Sequence, residues 1–375
     1  MKIDFAKEDL AKLQDFLSVP RRITLLGHVS PDGDAVGSTL GFASLLRTLG
    51  HAATVLYPTA YSDSFAFLPG ASEAIIAKDN PDEALQAIRE AEGLFCLDFN
   101  ETKRVEQLTA PLEESDALKL LIDHHPYPSD FADLSFSYPD RSSTCLIVYE
   151  LIRAMGWRDR LSTEAATAIY TGMMTDTGNF AYNSEDPEIY QVISELLEMG
   201  VRKDAVYDAI NRSFTIDKLR LTAHLMADKL TIFPQYKTAI ITLSMADKGK
   251  YNYQTGDVEG LVNDPLAAKE IEFSILIHEM PKYTKISMRS KGSFAVNEFA
   301  SKFFNGGGHT NAAGAEVCDT LSNTYKLVET AVRILHPCCS LHSSPGRHCL
   351  MAISRSSPVP AVSSLRSRSM RPCAD

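Results

Sequence analysis

Short apolar runs alternate with stretches in which apolar residues recur every three or four positions along the first 125 residues. The short runs predict buried strands, and the three-to-four spacing predicts amphipathic helices. The predicted strands are RITLLGHV (22–29), AATVLYP (52–58), GLFCLD (93–98) and LKLLID (118–123), and the predicted helices include residues 4–17, 34–50 and 82–91. Strands separated in this way by helices predict an α/β fold with a parallel sheet.

The rest of the chain predicts a mainly helical segment followed by a smaller α/β domain. Helical patterns cover most of residues 144–214, and a helix near 217–230 is expected to connect two domains. Strand patterns follow at 236–244, 271–280 and 284–290, with helices near 294–304 and 321–335. The predicted division is a first domain over residues 1–200, a helical linker over 201–230, a second domain over 231–335 and an active-site cleft between the two domains.

The last 40 residues differ in composition from the rest of the chain. Residues 336–375 contain ten Ser, five Pro, five Arg and four of the seven Cys, with a single acidic residue. A segment with so few periodic apolar positions does not predict a packed core. We expect residues 336–375 to be a disordered or non-native tail that lies outside the predicted fold.

The net charge of −11 argues against a protein that coats long nucleic acid by neutralising its phosphates. This charge does not exclude a small phosphorylated substrate that is held by a local metal site. No apolar run is long enough to span a bilayer, and no secretory signal is apparent. Cys96 and Cys145 lie in apolar segments and no CxxC spacing occurs, which favours a reducing, cytoplasmic location.

Acidic and imidazole side chains follow the predicted strands at the points where those strands end. The set at three strand ends is His28, Asp32, Asp34, Asp98, Asp123, His124 and His125. The segment GMMTDTGNF adds Asp176, which we expect in a glycine-bounded turn after an apolar helix. Because the carboxyl ends of parallel strands lie along one edge of a sheet, these side chains are expected to meet there.

Most of these residues also have an ordinary structural explanation. Asp32 and Asp34 suit the start of a helix near Ala35, Asp98 suits a cap, and Asp176 suits a turn. Their coincidence favours a metal site, because so many carboxylates without a counter-charge would repel one another. Carboxylates mixed with imidazoles suit Mn²⁺, with Mg²⁺ or Co²⁺ as substitutes. The ligands suffice for two ions that share one carboxylate, an arrangement used for phosphoryl hydrolysis.

The second predicted domain contains a glycine-rich segment, FFNGGGHTNAAG. Gly306, Gly307 and Gly308 allow backbone N–H groups to approach an anion closely, and His309 adds a side-chain donor. Arg289, at the end of a predicted strand, is suited to pairing with a phosphate. A flexible turn and a solvated arginine are the alternative interpretations of these two features. Beside a two-metal site, substrate binding is the interpretation that we favour.

The segments GHVSPDGDAVGS, LDFN, IDHHPYP and TDTGNF resemble the motif series of the DHH phosphoesterase family. GGGHTNAAG resembles the signature of the C-terminal domain associated with that family. The motifs occur in the family order, span residues 20–316 and show no departure in the metal motifs. The compact two-domain length is most similar to the bacterial oligoribonucleases of the family that also dephosphorylate 3′-phosphoadenosine 5′-phosphate (pAp). The resemblance therefore implies hydrolysis of short single-stranded oligonucleotides, about two to five nucleotides long, and of pAp to AMP.

The resemblance also implies roles for individual residues. The implied ligands are His28, Asp32 and Asp98 for one Mn²⁺, and Asp34, Asp98, His124 and Asp176 for the other, with Asp98 shared. His125 would face the substrate phosphate as a donor or general acid, and Asp123 would orient a metal-ligating imidazole. Arg289 and the loop 306–309 would bind the far end of the substrate.

Three other kinds of enzyme share parts of this pattern: a manganese pyrophosphatase, a processive single-strand exonuclease and a linear or cyclic dinucleotide phosphodiesterase. The second-domain signature argues against the first, and the length and acidic charge of the chain argue against the second. The third acts on the same kind of bond and stays open. A catalytically silent nucleotide sensor is expected to lack a metal ligand, and none is missing here. The sequence leaves open the oligomeric state, monomer or homodimer, and the choice between RNA and DNA.

Overall fold

The computed structural model describes residues 3–212 and 214–335, which fall into two compact units. The first unit is Met1–Ser213, and the second begins at Phe214. This division falls inside the segment 201–230, so that one of its two helices belongs to each unit. The domain limits and the linker given above stay predictions, and the predicted tail, residues 336–375, lies outside the described residues.

The first unit is built on a parallel sheet with helices on both faces. Its strands are β1 (Arg22–Leu26), β2 (Ala52–Tyr57), β3 (Ile75–Ile76), β4 (Gly93–Leu97), β5 (Leu118–Asp123) and β6 (Leu134–Ser137). Its helices are α1 (Lys7–Phe16), α2 (Gly33–Thr48), α3 (Pro81–Glu90), α4 (Thr109–Glu114), α5 (Thr144–Ala154), α6 (Thr163–Asp176), α7 (Pro187–Glu198) and α8 (Lys203–Asn211). The strand order is β3-β2-β1-β4-β5-β6, and every neighbouring pair is parallel. The predicted parallel α/β sheet is confirmed.

The central strands are almost entirely apolar because both faces of the sheet are covered. Ile23 and Leu25 of β1 point into one core, whereas Leu26 points into the core on the opposite face. From β1 the chain adds β2 and β3 toward one edge of the sheet, and from β4 it adds β5 and β6 toward the other edge. In doubly wound sheets this reversal opens a crevice at the carboxyl ends of the two strands, where ligands bind. The fold therefore places the ends of β1 and β4 at its natural binding position.

The second unit contains a mixed sheet with order β11-β12-β10-β9-β8-β7, in which only the β8–β9 pair of the described strands is parallel. Its strands are β7 (Leu230–Phe233), β8 (Thr238–Leu243), β9 (Phe273–Glu279), β10 (Thr284–Ser290), β11 (Gly307–His309) and β12 (Ala312–Val317). Its helices are α9 (Ile216–Asp228), α10 (Met245–Lys250), α11 (Val296–Phe304) and α12 (Leu321–Leu335). Phe299 of α11 and Val328 of α12 pack with Ile286 and Met288 of β10. The expected second α/β domain is confirmed.

Several short strands have no signal in the sequence. Strand β3 has only two residues, and β12 reads AAGAEV, whose alanines and glycine are poor strand formers. Strand β12 exists because it pairs along its length with β10, from Thr284–Val317 to Arg289–Ala312. Tertiary pairing rather than local propensity decides these elements. Among the described residues, the helices are all too short or too polar to cross a lipid bilayer.

Candidate metal centre

Asp98 lies between two histidines that come from different strands. It directly follows β4, its φ is +66°, and it is fully buried. The Nε2 atom of His28, which follows β1, lies 3.5 Å from Oδ2 of Asp98. The Nε2 atom of His124, which follows β5, lies 3.5 Å from Oδ1 of Asp98. One carboxylate thus presents a separate oxygen to each imidazole, at the crevice between β1 and β4.

Three further carboxylates complete the two sides of this arrangement. On the side of His28, Oδ1 of Asp32 lies 3.8 Å from Nε2. On the side of His124, Oδ2 of Asp34 lies 3.8 Å and Oδ2 of Asp176 lies 3.6 Å from Nε2. The structure therefore brings together all six residues that the sequence proposed as ligands, in two groups that meet at Asp98.

The spacings distinguish this cluster from a set of hydrogen bonds. Separations of 3.5–3.8 Å between imidazole nitrogen and carboxylate oxygen are longer than an ordinary N–H···O bond of about 2.7–3.2 Å. Neighbouring ligands about 2.0–2.2 Å from one metal ion lie roughly 3–3.5 Å apart, which is close to these values. The donor set, four carboxylates and two imidazoles, is one that divalent metal ions accept. The residues present therefore fit the metal centre that the sequence predicts.

The ring nitrogens facing away from the cluster set the tautomers of the two histidines. The Nδ1 atom of His28 lies 2.7 Å from the carbonyl oxygen of Val29, and Nδ1 of His124 lies 3.3 Å from that of Arg141. A carbonyl oxygen can only accept, so the proton of each neutral imidazole is on Nδ1. The lone pair of each Nε2 then points toward the carboxylates, as metal binding requires.

His125 has a different partner. Its Nδ1 atom lies 2.8 Å from Oδ1 of Asp123, the fully buried last residue of β5. The sequence led us to expect that Asp123 orients a metal-ligating imidazole; in the structure it orients His125 instead. The reason is local geometry, since residues 123 and 125 of a strand end lie on the same side of the backbone.

The pKa values show that the cluster carries strongly interacting charge. Burial and the nearby carboxylates of Asp34 and Asp32 raise the pKa of Asp98 well above its ordinary value. Burial by itself would lower the pKa of His124, but the surrounding carboxylates, Asp176 foremost, raise it to about 9. Burial lowers the pKa of His125 although its bond to Asp123 opposes the shift. So much negative charge in one buried place is stabilised by cations, and divalent metal ions supply them.

The N-terminus of α5 holds two of the carboxylates, and sequence analysis missed this contribution. The backbone N–H groups of Thr144 and Cys145 donate to the two oxygens of Asp34, at 2.6 and 2.9 Å. The hydroxyl group of Thr144 donates to Oδ1 of Asp98 at 2.9 Å. The positive end of the helix dipole also favours a carboxylate here. The available signal was the segment SSTCLIVY, in which Ser143 caps an apolar helix.

Close packing of α2 against α6 brings Asp34 and Asp176 to the same place. A Cβ atom on Gly37 of α2 would lie 2.4 Å from the carbonyl oxygen of Ala168 in α6. A Cβ atom on Gly172 of α6 would lie 2.9 Å from Oδ1 of Asp34. Asp176 was expected in a turn after the helix; in the structure it is the last residue of α6 itself, and the helix positions the carboxylate.

Asp32 has a structural role at the start of helix α2 as well as a proposed role in metal binding. Asp32 is the N-cap of α2, and its Oδ1 atom accepts from the N–H groups of Asp34 and Ala35, both at 3.1 Å. The structural explanation and the proposed metal role of Asp32 are therefore compatible, since a carboxylate oxygen can accept several partners. The cap fixes the orientation of the carboxylate toward His28.

The residues proposed for substrate binding lie in the second unit. Gly307–His309 form strand β11 at the edge of the sheet, which corrects the expected loop. A strand forms because the backbone of β12 comes so close that a Cβ atom on Gly306 would lie 2.1 Å from the carbonyl oxygen of Gly314. Both Arg289 of β10 and His309 of β11 pair in register with Ala312 of β12. The side chains of Arg289 and His309 thus lie on one face, two strand spacings or about 10 Å apart.

Comparisons with known proteins agree with this fold and site. Residues 22–173 match the DHH family, N-terminal domain, and residues 236–336 match the DHHA1 domain. The chain is 30% identical over 315 residues to a bifunctional oligoribonuclease and PAP phosphatase of Thermus thermophilus, covering 83% of this chain and 89% of that protein. It is 24% identical over 340 residues to a cyclic-di-AMP phosphodiesterase of Listeria monocytogenes, covering 85% of this chain and 48% of that protein.

A solved structure is also similar over nearly the whole chain. The crystal structure of an exopolyphosphatase-related protein from Bacteroides fragilis superposes with a TM-score of 0.86 and 38% sequence identity. The superposition covers 90% of this chain and 99% of that one. The chain therefore belongs to the DHH phosphoesterase family. It is a hydrolase, of a family whose enzymes depend on metal ions.

Proposed function

We propose that this enzyme hydrolyses short oligoribonucleotides, about two to five nucleotides long, to mononucleotides, and converts pAp to AMP. The observation that carries the proposal is the bridging position of Asp98, with one oxygen 3.5 Å from His28 and the other 3.5 Å from His124. A shared carboxylate of this kind suits two ions, the arrangement used for phosphate-ester hydrolysis. The oligoribonuclease and PAP phosphatase activities named for the Thermus thermophilus relative support the choice of substrate.

The proposed ligand sets follow the two groups at Asp98. The ligands would be His28, Asp32 and Asp98 for one ion, and Asp34, Asp98, His124 and Asp176 for the other. Mixed carboxylate and imidazole donors without thiolates favour Mn²⁺, with Mg²⁺ or Co²⁺ as weaker substitutes. When bound, such a pair of ions lowers the pKa of water and neutralises charge on the phosphate.

The side chains of the protein would then transfer the proton and position the substrate. We assign His125 as the donor of a proton to the leaving oxygen, because its Nδ1 atom is bonded to Asp123 and also lies 3.8 Å from Oδ1 of Asp98, which places the imidazole beside the proposed metal ions. Asp123 would favour the protonated imidazole and hold the ring in place. The roles of Arg289 and of Gly306, Gly307, Gly308 and His309 in substrate binding stay predictions, consistent with one shared face for Arg289 and His309.

A linear or cyclic dinucleotide phosphodiesterase is the second candidate. The Listeria monocytogenes relative, named a cyclic-di-AMP phosphodiesterase, favours this alternative. The same metal centre would cut the same kind of bond in either substrate. The candidates therefore differ in which substrate is hydrolysed with the higher kcat/KM.

A hydrolysis panel tests both candidates. It compares pAp, RNAs of two to five nucleotides, cyclic di-AMP, pyrophosphate and a 24-nucleotide RNA, each with Mn²⁺, Mg²⁺ or Co²⁺. We expect mononucleotides from the short RNAs and AMP from pAp, most rapidly with Mn²⁺, and no hydrolysis of pyrophosphate. Faster hydrolysis of cyclic di-AMP than of pAp and short RNA would select the second candidate. Hydrolysis of pyrophosphate alone would contradict both.

A further inference from the structure

Tyr127 is the most exposed large apolar or aromatic residue of the described chain. It lies in the segment HHPYP, two residues after His125, and 88% of its surface is accessible, against 67% for the next such residue, Ile216. An aromatic ring in this position buries almost no area within the chain, so it adds little to folding. Its surroundings are nevertheless those of the metal centre, because His125 is part of that site.

The backbone at Tyr127 adopts a conformation that its side chain disfavours. Its φ is +60°, in the left-handed region that bulky residues rarely occupy. Pro126 and Pro128 flank it and restrict the chain on both sides. A costly conformation of this kind persists only where the surrounding structure imposes it, and such residues cluster at ligand-binding sites.

Asn100 imposes the conformation. Its Nδ2 atom donates to the carbonyl oxygen of Pro126 at 2.7 Å, and its own carbonyl oxygen accepts from the N–H of Ser129 at 2.8 Å. The loop is thus held on both sides of Tyr127 by a residue that is itself two positions from Asp98. Because consecutive Cα atoms are about 3.8 Å apart, the Cα atom of Tyr127 lies at most ~7.6 Å from that of His125. Tyr127 therefore belongs to a loop that Asn100 holds beside the metal centre.

We propose that Tyr127 stacks on the base of the nucleotide whose phosphate is bound at the metal centre. The inference rests on the proposed function and names the part of the substrate that the site recognises. An exposed aromatic face stacks on any base, so it selects nucleotides over phosphates without a base while tolerating different sequences. Tyr127 is accordingly a specificity-determining residue, and hydrolysis of a base-free phosphate does not depend on it.

The test compares pAp with ribose 3,5-bisphosphate, which has the same two phosphates and no base. Tyr127→Ala should lower kcat/KM for pAp by about 5- to 150-fold, mainly through KM, and leave that for ribose 3,5-bisphosphate unchanged. Tyr127→Phe should retain the wild-type value for pAp within about twofold, because stacking needs the ring and not the hydroxyl. The matched control is Tyr190→Ala, which removes a half-exposed tyrosine of helix α7 and should change neither substrate.

Two measurements distinguish stacking from a structural role. Calorimetric titration with a phosphorothioate dinucleotide should show that Tyr127→Ala binds it more weakly than the wild type does, by a factor similar to the loss of kcat/KM for pAp. Tyr127→Asn should not lower the melting temperature, because asparagine tolerates a positive φ. A lower melting temperature, or an equal loss of kcat/KM on both bisphosphates, would overturn the proposal by showing that Tyr127 supports the loop of His125.

The two proposals fail in different ways. Wild-type hydrolysis of pAp with an unchanged Tyr127→Ala variant would overturn the stacking inference and leave the proposed function standing. Failure of the wild type to hydrolyse pAp or any short RNA, with metal bound, would overturn the proposed function and the stacking inference with it.

Discussion

The Nδ1 atom of His125 lies 2.8 Å from Oδ1 of the buried Asp123, and this pair stands beside Asp98, outside the two ligand groups that we propose. The carboxylate fixes which way the imidazole faces and favours a proton on Nδ1. It therefore separates the residue that would transfer a proton from the residues that would hold metal ions. Loss of activity and loss of metal should accordingly be separable by mutation.

We predict that His125→Ala lowers kcat for pAp by about 10²- to 10⁴-fold, the usual contribution of a positioned acid or base. Asp123→Asn should lower kcat by about 10- to 100-fold, because the ring loses its charged partner but keeps its place. Both variants should bind as much Mn²⁺ as the wild type when measured by inductively coupled plasma mass spectrometry. Loss of bound metal in either would place that residue among the ligands and contradict the assignment.

Asp98→Asn should stabilise the metal-free protein and at the same time abolish its stabilisation by metal. The raised pKa of Asp98 means that burial and neighbouring carboxylates make its charge unfavourable without metal. In EDTA the variant should therefore melt above the wild type, because the neutral amide removes the buried charge. Added Mn²⁺ should raise the melting temperature of the wild type but not of the variant.

The control for this experiment is Asp159→Asn, which removes an exposed carboxylate from a short 3₁₀ helix of the same unit. It should leave both melting temperatures, with EDTA and with Mn²⁺, at the wild-type values. An Asp98→Asn protein that is still stabilised by Mn²⁺ would show that Asp98 is not a shared ligand.

Gly172→Ala should disturb the contact between α2 and α6. The added Cβ atom would lie 2.9 Å from Oδ1 of Asp34 and closer still to Sγ of Cys145, so the helices must move apart. We expect a loss of about 1–3 kcal/mol in the free energy of unfolding, measured by urea denaturation, and weaker Mn²⁺ binding. Gly249→Ala is the control: Gly249 lies in helix α10, where the added Cβ atom would meet nothing beyond the adjacent helix backbone, and the free energy of unfolding should rise by up to about 1 kcal/mol. If Gly172→Ala and Gly249→Ala changed the free energy of unfolding and Mn²⁺ binding equally, the packing explanation would be wrong.

His278 should make the protein less stable in acid. Burial, helped by the charges of Lys248 and Lys285, lowers its pKa from 6.5 to about 3, and no described residue bonds to its buried Nε2 atom. Between these two pKa values the unfolded chain binds a proton that the folded chain does not, so the free energy of unfolding falls as pH decreases below 6.5. The slope from this group approaches ~1.4 kcal/mol per pH unit.

Urea denaturation of the wild type and His278→Gln at pH 7, 6 and 5 measures that contribution. The variant should lose less stability than the wild type over this range, because glutamine does not titrate. Parallel pH profiles for the two proteins would show that His278 is not protonated on unfolding.

The residues at the strand ends of the proposed metal centre could be predicted from the sequence, whereas the contribution of helix α5 could not. His28, Asp98 and His124 each end an apolar run, so their meeting follows once the runs are recognised as parallel strands of one sheet. Thr144 has no such signal, because its bonds to Asp34 and Asp98 join residues 110 and 46 positions apart. Such contacts depend on how α5 packs, and packing is decided by many side chains at once.

The sequence by itself determined the fold class, the strand ends at which carboxylates and imidazoles meet, and the residue types of the proposed metal centre, because periodicity and strand ends are local properties of the chain. The family resemblance implied that Asp98 is shared, and the tertiary structure showed that it offers a separate oxygen to His28 and to His124. The tertiary structure alone decided that Asp123 orients His125 and that Gly307–His309 form a strand. Each of these relations needs either the order of strands in a sheet or the direction of a side chain. Both are set by long-range packing, which a local pattern does not encode.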